Sequence, residues 1–274
     1  MSLSQRDQTI LSDLDKAQAI HRDIQELLSF YKNLFQVQFA FKSRLGASGK
    51  AGNFEKKDVN LTGLTNGLPQ ITFEDLNIQA TPFLNLYKSI VQLLIPYAGD
   101  SYGLETDPLP EKIVEWAQEI FLGRGSLVTP GDLRDRARLV TGFVLAPYLQ
   151  LACDLILPRV PLYMWHREYC PICGGWPAFA ALISDTSPRT LLCPRCLGEW
   201  SFSRIGCPFC GSSVAQVYYS GGEGRHRLYV CEACNRYLKT VDLRERGREW
   251  CLPVECLVTV SMDIAALERG FTPC

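Results

Sequence analysis

From Ile10 the apolar residues fall at Ile10, Leu14, Ala17, Ile20, Ile24, Leu27, Leu28, Tyr31, Leu34 and Phe35, in steps of three and four. That spacing lines one face of an α-helix and leaves the charged residues between them in water, so it predicts one amphipathic helix running towards Gly46. A polar stretch, GASGKAGNFEKKDVNLTGLTNG, then predicts a long loop, functional or mobile, to Gly67. Thr81-Pro82 supplies an N-cap and a first-turn proline for a helix to about Tyr97. Pro110 and Glu111 open another through Ile113, Trp116 and Ile120. Gly131-Asp132 opens a third through Leu139, Phe143, Tyr148 and Leu151. The stretch from Leu139 to Trp165 is apolar, but Pro147, Gln150, Asp154, Pro158 and Arg159 interrupt it. No clean run of about 18 apolar residues is left, which predicts a buried core helix and no membrane insertion. Cys153 falls on the apolar face of this helix and reads as core.

Beyond residue 165 the period shortens from helix to strand. Phe179 to Ile183, Thr190 to Leu192, Ala215 to Tyr219 and Leu228 to Val230 have strand character, with turns at Asp185-Thr186-Ser187-Pro188 and Gly221-Gly222-Glu223-Gly224. After a charged connector, DLRERGREW, the segment VECLVTVSMDIAALERGF predicts a short strand and an amphipathic helix that docks back on the body.

Chemistry enters with the cysteines. Of the 12 in the chain, eight form Cys-x-x-Cys pairs: Cys170/Cys173, Cys193/Cys196, Cys207/Cys210 and Cys231/Cys234. A two-residue gap lets one tight turn aim two thiolates at an ion, and a second turn completes a tetrahedron. CPICGGWPAFAALI matches CPFCGSSVAQVYYS, and TLLCPRC matches LYVCEAC, so one unit is used twice. Each unit predicts a β-hairpin with a knuckle at each base, of zinc-ribbon or rubredoxin type, too small to hold its shape without metal. Pairing the first knuckle with the fourth and the second with the third stays open. Disulfides and thioredoxin-like redox activity are alternatives. A polar start, MSLSQRDQTILSDLDK, without an apolar core argues for a reducing compartment, and the β-hairpin setting argues against the redox motif. Cys251 and Cys256 are too widely spaced for a knuckle, Cys274 is a lone thiol, and His166 competes for sites that eight cysteines already fill.

The chain therefore reads as α+β: a helical N-terminal domain (1–165), a first four-cysteine rubredoxin-like module (166–205), a second (206–250), and a short C-terminal strand and helix (251–274). Net charge is -1, which steers the whole chain towards neither nucleic acid nor an anionic membrane. Residues 166–250 carry eleven Lys and Arg against eight Asp and Glu. Arg189, Arg195, Arg204, Arg225, Arg227 and Arg236 could line a phosphate track, with Tyr219 or Tyr229 as stacking surfaces, so a nucleic-acid-binding zinc-ribbon protein is one alternative. A rubredoxin-like electron carrier is another. No nucleophile elbow, phosphate loop, HExxH or dinucleotide fingerprint occurs, and closed four-sulfur sites lack the open position that a catalytic zinc needs. The expectation is a protein that is not an enzyme.

CPICGGWPA at Cys170, LLCPRCLGEWSFSRIGCPFCG and YVCEACNRYLKTVD resemble the formate dehydrogenase accessory protein family, the FdhE type. Glu199-Trp200, Arg204, Asp263 and Gly270 fall at similar places, and the resemblance covers Tyr169 to about Thr272. It implies a cytoplasmic maturation factor that binds the catalytic subunit of a molybdenum- or tungsten-containing formate dehydrogenase. Carried over, Cys170, Cys173, Cys193 and Cys196 hold one ion, and Cys207, Cys210, Cys231 and Cys234 hold the other. Four thiolates suit iron and zinc alike, and the resemblance favours iron. The loop from Gly46 to Gly67, Trp176 and Trp200 are conceivable contributors to client binding.

Overall fold

In the computed structural model, which describes residues 3–49, 52–98, 106–123, 133–213, 216–220, 224–244 and 250–273, the first amphipathic run is not one helix but two. α1 (Gln5–Ile20) begins at Ser4, whose hydroxyl accepts from the Asp7 amide, and ends at His21. A 3-10 turn over Arg22–Ile24 leads into α2 (Gln25–Ser48), which closes on Gly49 in a left-handed conformation. The two pack antiparallel: Lys42 reaches Asp7 and Lys32 reaches Asp15, so the partner numbers run in opposite directions. The periodicity survived the break because both helices turn the same apolar stripe inward. Ile20, counted in that stripe, lies at the turn and is exposed.

The described residues fall into two compact units, Met1–Val59 with Ile71–Arg159 and Asn60–Gln70 with Val160–Cys274. In the first, α4 (Ala80–Ala98), α5 (Pro110–Gly123) and α6 (Leu133–Ile156) join the α1/α2 hairpin. Pro110 and Glu111 open α5 as the sequence predicts. The proposed start of α6 at Gly131-Asp132 lies outside the described residues, as do Lys50 and Ala51 of the expected loop. α6 is the core helix, with Val140, Val144, Tyr148, Ala152, Cys153 and Ile156 all buried. Arg136–Arg159 is long and apolar enough to cross a membrane by composition alone, and 78% of that window is buried inside the protein.

Pro147 sits inside α6 and has no N–H to give the Phe143 carbonyl one turn back. The side chain of Gln38, on α2, donates from Nε2 to that carbonyl at 2.7 Å. Lys42, one turn further along α2, is 5% exposed and binds both Asp7 and Asp154, at 2.6 and 2.7 Å.

The second unit is built on one six-stranded sheet. Its strands are β1 (Phe179–Leu182), β2 (Arg189–Leu192), β3 (Glu199–Phe202), β4 (Gln216–Ser220), β5 (His226–Cys231) and β6 (Arg236–Asp242), in the order β3-β2-β1-β6-β5-β4. Each cysteine module contributes three strands in antiparallel register, one more than the hairpin that the sequence predicts. β1 and β6 pair in parallel, with Phe179 beside Lys239 and Leu182 beside Asp242. The two modules therefore lie side by side in the same sense, as a direct repeat fused into one sheet.

The C-terminal segment forms two helices broken at Thr259 where a strand and a helix were expected: α7 (Leu252–Val258) and α8 (Val260–Glu268). The β-branched residues of LVTV favour a strand only weakly, and packing against the sheet overrides that preference. Leu252 joins Phe179, Ala181, Leu192 and Val241 in one apolar cluster, and Ala266 joins Leu228, Val230 and Tyr237 in another. Lys239, buried under these helices, donates to Asp263 and to the Cys256 carbonyl, while the Tyr237 hydroxyl donates to the other Asp263 oxygen. Asn60–Gln70, with its short helix α3 (Leu61–Thr65), also belongs to this unit. The Gln70 amide donates to Pro171 and the Tyr169 hydroxyl to Gly67, so this part of the expected loop is pinned beside the first knuckle.

Candidate metal centres

All four knuckles use the same turn. The amide of the fifth residue donates to the carbonyl of the leading cysteine: Gly174 to Cys170, Leu197 to Cys193, Gly211 to Cys207 and Asn235 to Cys231, at 2.8–3.0 Å. That fifth residue is left-handed each time, with φ of 70°, 59°, 75° and 55°. Glycine takes this conformation freely and Asn tolerates it, whereas Leu197 does so at a cost of about 1 kcal/mol. Gly174, Gly211 and Asn235 are legible signals of the turn. Leu197 is not.

The turns gather the eight cysteines into two groups, Cys170 with Cys173, Cys193 and Cys196, and Cys207 with Cys210, Cys231 and Cys234. This is the tandem grouping and not the crossed one. In each group the four sulfurs lie within 4.8 Å of one another. Cys170 and Cys196 approach to 3.5 Å, as do Cys173 and Cys193, while Cys207–Cys234 and Cys210–Cys231 stand at 3.7 and 3.6 Å. A tetrahedron of sulfurs at the usual metal–sulfur distance has edges of about 3.8 Å, so both groups could hold an ion. Backbone amides point at the sulfurs as well: Ile172 at Cys170, Gly198 at Cys196 and Phe209 at Cys207, each at 3.4 Å. Such donors favour thiolate over thiol.

The two groups differ in exposure. Every cysteine of the first is buried. In the second Cys210 is exposed and Cys234 half-buried. Burial pushes the Cys170 thiol well above its ordinary value, while hydrogen bonds from Cys170, Cys193 and Cys196 hold Cys173 well below it, with a smaller pull from Arg195. Burial pushes Cys234 up to about 12. An ion that replaces the shared protons removes this competition among sulfurs.

Aromatic rings lie between the knuckles. Trp176, just after the first knuckle, meets Phe209 of the third edge-on at 6.1 Å, and Arg236, just after the fourth, lies over both rings. Trp176 is half-buried, whereas Trp200 is 1% exposed and donates from its indole N–H to the Arg167 carbonyl. Trp200 is therefore a packing residue and offers no surface to a client. His166 is exposed and belongs to neither cysteine group, and Cys256 packs against the sheet. Cys274 lies outside the described residues.

The sequence offered six arginines as a phosphate track, and the structure buries two of them and leaves the other four half-buried. Arg189 and Arg195 are each 3% exposed. Arg204 donates to the Ser184 carbonyl, Arg225 lies over Trp250, Arg227 pairs with Asp242, and Arg236 stacks on Trp176 and Phe209. Sequence reasoning had no signal for this, because the partners are distant in the chain.

No family model matches the chain. It is 33% identical over 259 residues to the Protein FdhE homolog of Aquifex aeolicus, covering 90% of this chain and 85% of that one. Protein FdhE of Escherichia coli matches at 32% over 113 residues, 40% of this chain and 36% of its own length. Among solved structures, the FdhE protein of Pseudomonas aeruginosa aligns with a TM-score of 0.63 at 21% identity, over 98% of this chain and 92% of that one. That likeness shows a shared α+β fold.

Proposed function

Because this chain belongs to the FdhE family, we propose that it is a metal-binding accessory factor that binds the catalytic subunit of a formate dehydrogenase and assists its assembly. The observation that carries the metal part is the gathering of eight cysteines into two four-sulfur groups of tetrahedral size. Cys170, Cys173, Cys193 and Cys196 hold one ion, and Cys207, Cys210, Cys231 and Cys234 the other. Iron is the favoured ion, zinc the alternative. The ion supplies folding energy to a small unit, and iron would add a one-electron couple set by sulfur hydrogen bonds and exposure. With all four positions of each site filled by sulfur, neither centre has room for a substrate, so the protein works by binding and not by catalysis. It acts in the cytoplasm, where thiols stay reduced.

Nucleic-acid binding is disfavoured by the arginines. A phosphate track needs exposed guanidinium groups, and two of the six are buried while three others stack on rings or pair with a carboxylate.

Two measurements test the proposal. Elemental analysis of purified protein should give about two ions per chain, and thiolate-to-iron absorption would identify iron. Capture of a formate dehydrogenase catalytic subunit should be lost in Cys170→Ser and Cys207→Ser variants together with one ion each. Unchanged metal content and capture in both variants would refute it.

A further inference from the structure

A buried arginine stands beside the second four-cysteine group without belonging to its ligand set. Arg189 opens β2 in the first module, yet its Nη2 donates to the carbonyl of Gly206, the residue before Cys207 of the second group. Its guanidinium lies over the Phe202 ring at 5.6 Å, and its Nε has no hydrogen-bond partner among the described residues. Arg189 makes no ion pair with Asp or Glu among those residues, although it is 3% exposed.

Burying a cation away from water is costly unless an anion compensates it. Four thiolates around a divalent ion carry a net charge of about −2 in a similarly dry setting. Each excess cancels part of the other. Burial depresses the Arg189 guanidinium to about 10, and the nearby Cys207 sulfur works against that fall.

We propose that Arg189 is the counter-charge of the second metal centre, holding it as a partly neutralised anion and raising its affinity for a divalent ion. It is a positioning residue and does not touch the ion. Arg189 makes the second centre depend on a side chain of the first module, which the direct repeat does not require. The inference rests on the proposed ligand sets.

The full chain loaded with Co2+ tests both levels separately. Two Co2+ per chain with sulfur-to-cobalt absorption tests the ligand sets, and failure there ends both ideas. The counter-charge is tested by competing Co2+ away with a chromophoric chelator in Arg189→Met and Arg189→Lys variants. Arg189→Met should weaken one of the two equivalents by on the order of a hundredfold and leave the other as it was. Lys should recover most of the loss. A Met variant that keeps the wild-type spectrum and the wild-type affinity overturns the proposal. If the Met variant also loses the cobalt spectrum, Lys decides. Recovery of spectrum and affinity supports the charge, and failure equal to that of Met reduces the arginine to packing.

Discussion

Pro147 and Gln38 should be energetically coupled. Pro147 removes the N–H that would close on Phe143 O, and Gln38 Nε2 takes its place at 2.7 Å from a side chain 2% exposed. Replacing Gln38 with Leu strands that part-buried carbonyl, a cost of about 1–3 kcal/mol. The same change removes Gln38 Oε1, which is buried without a partner, and so returns about 1–2 kcal/mol. Gln38→Leu alone should therefore destabilise by only about −1 to 2 kcal/mol. In a Pro147→Ala background the new amide closes the helix on Phe143, and the carbonyl no longer needs Gln38. There Gln38→Leu should stabilise by the returned ~1–2 kcal/mol, so the coupling equals the cost of the stranded carbonyl, about 1–3 kcal/mol. Urea unfolding of the four proteins, followed by far-UV circular dichroism on metal-loaded samples, measures it. Additivity within about 0.5 kcal/mol would show that the Gln38 bond does not stand in for the missing helix bond.

The difference in burial predicts that the centres lose metal unequally. A chelator should withdraw one ion in a fast phase from the group containing exposed Cys210, and Cys210→Ser should remove that phase; release of both ions at one rate would contradict it. Asn235→Val puts a β-branched residue at φ 55° and should cost about 1–2 kcal/mol, weakening the second centre and sparing the first, whereas Asn235→Gly should bind metal as wild type does. Burial pushes the Asp75 carboxyl up, but the Lys57 ammonium and the Thr72 amide outweigh it and hold the group below its ordinary range. A depressed carboxylate contributes stability above its unfolded value of about 4 and loses it as pH falls through the folded value. The stability gap between wild type and Asp75→Asn should accordingly shrink below about pH 4, and a gap independent of pH would contradict this.

The two cysteine groups were legible because a Cys-x-x-Cys turn is local: two residues of chain fix the aim of two sulfurs. Repetition of the unit favoured the tandem pairing of knuckles, and the fold decided it. Helical periodicity gave α4 and α5 nearly to their ends, since proline at a first turn acts within its own element. The same periodicity ran unbroken through His21, because a helix hairpin keeps its stripe inward on both arms.

Contacts between distant residues were not legible. β3 and β6 follow their knuckles without a strong strand pattern of their own, and they form because a neighbouring strand offers a free edge. The parallel joint of β1 and β6 brings Phe179 beside Lys239, 60 residues on in the chain. LVTV became helical under the demands of the sheet beneath it. Arg189 and Arg195 look like any surface arginines in the sequence. Sequence by itself determined the cysteine turns and the helical faces, which depend on spacing along one element. Tertiary structure decided which charges are buried and how the modules fuse, because burial is set by whatever non-local chain happens to cover a residue.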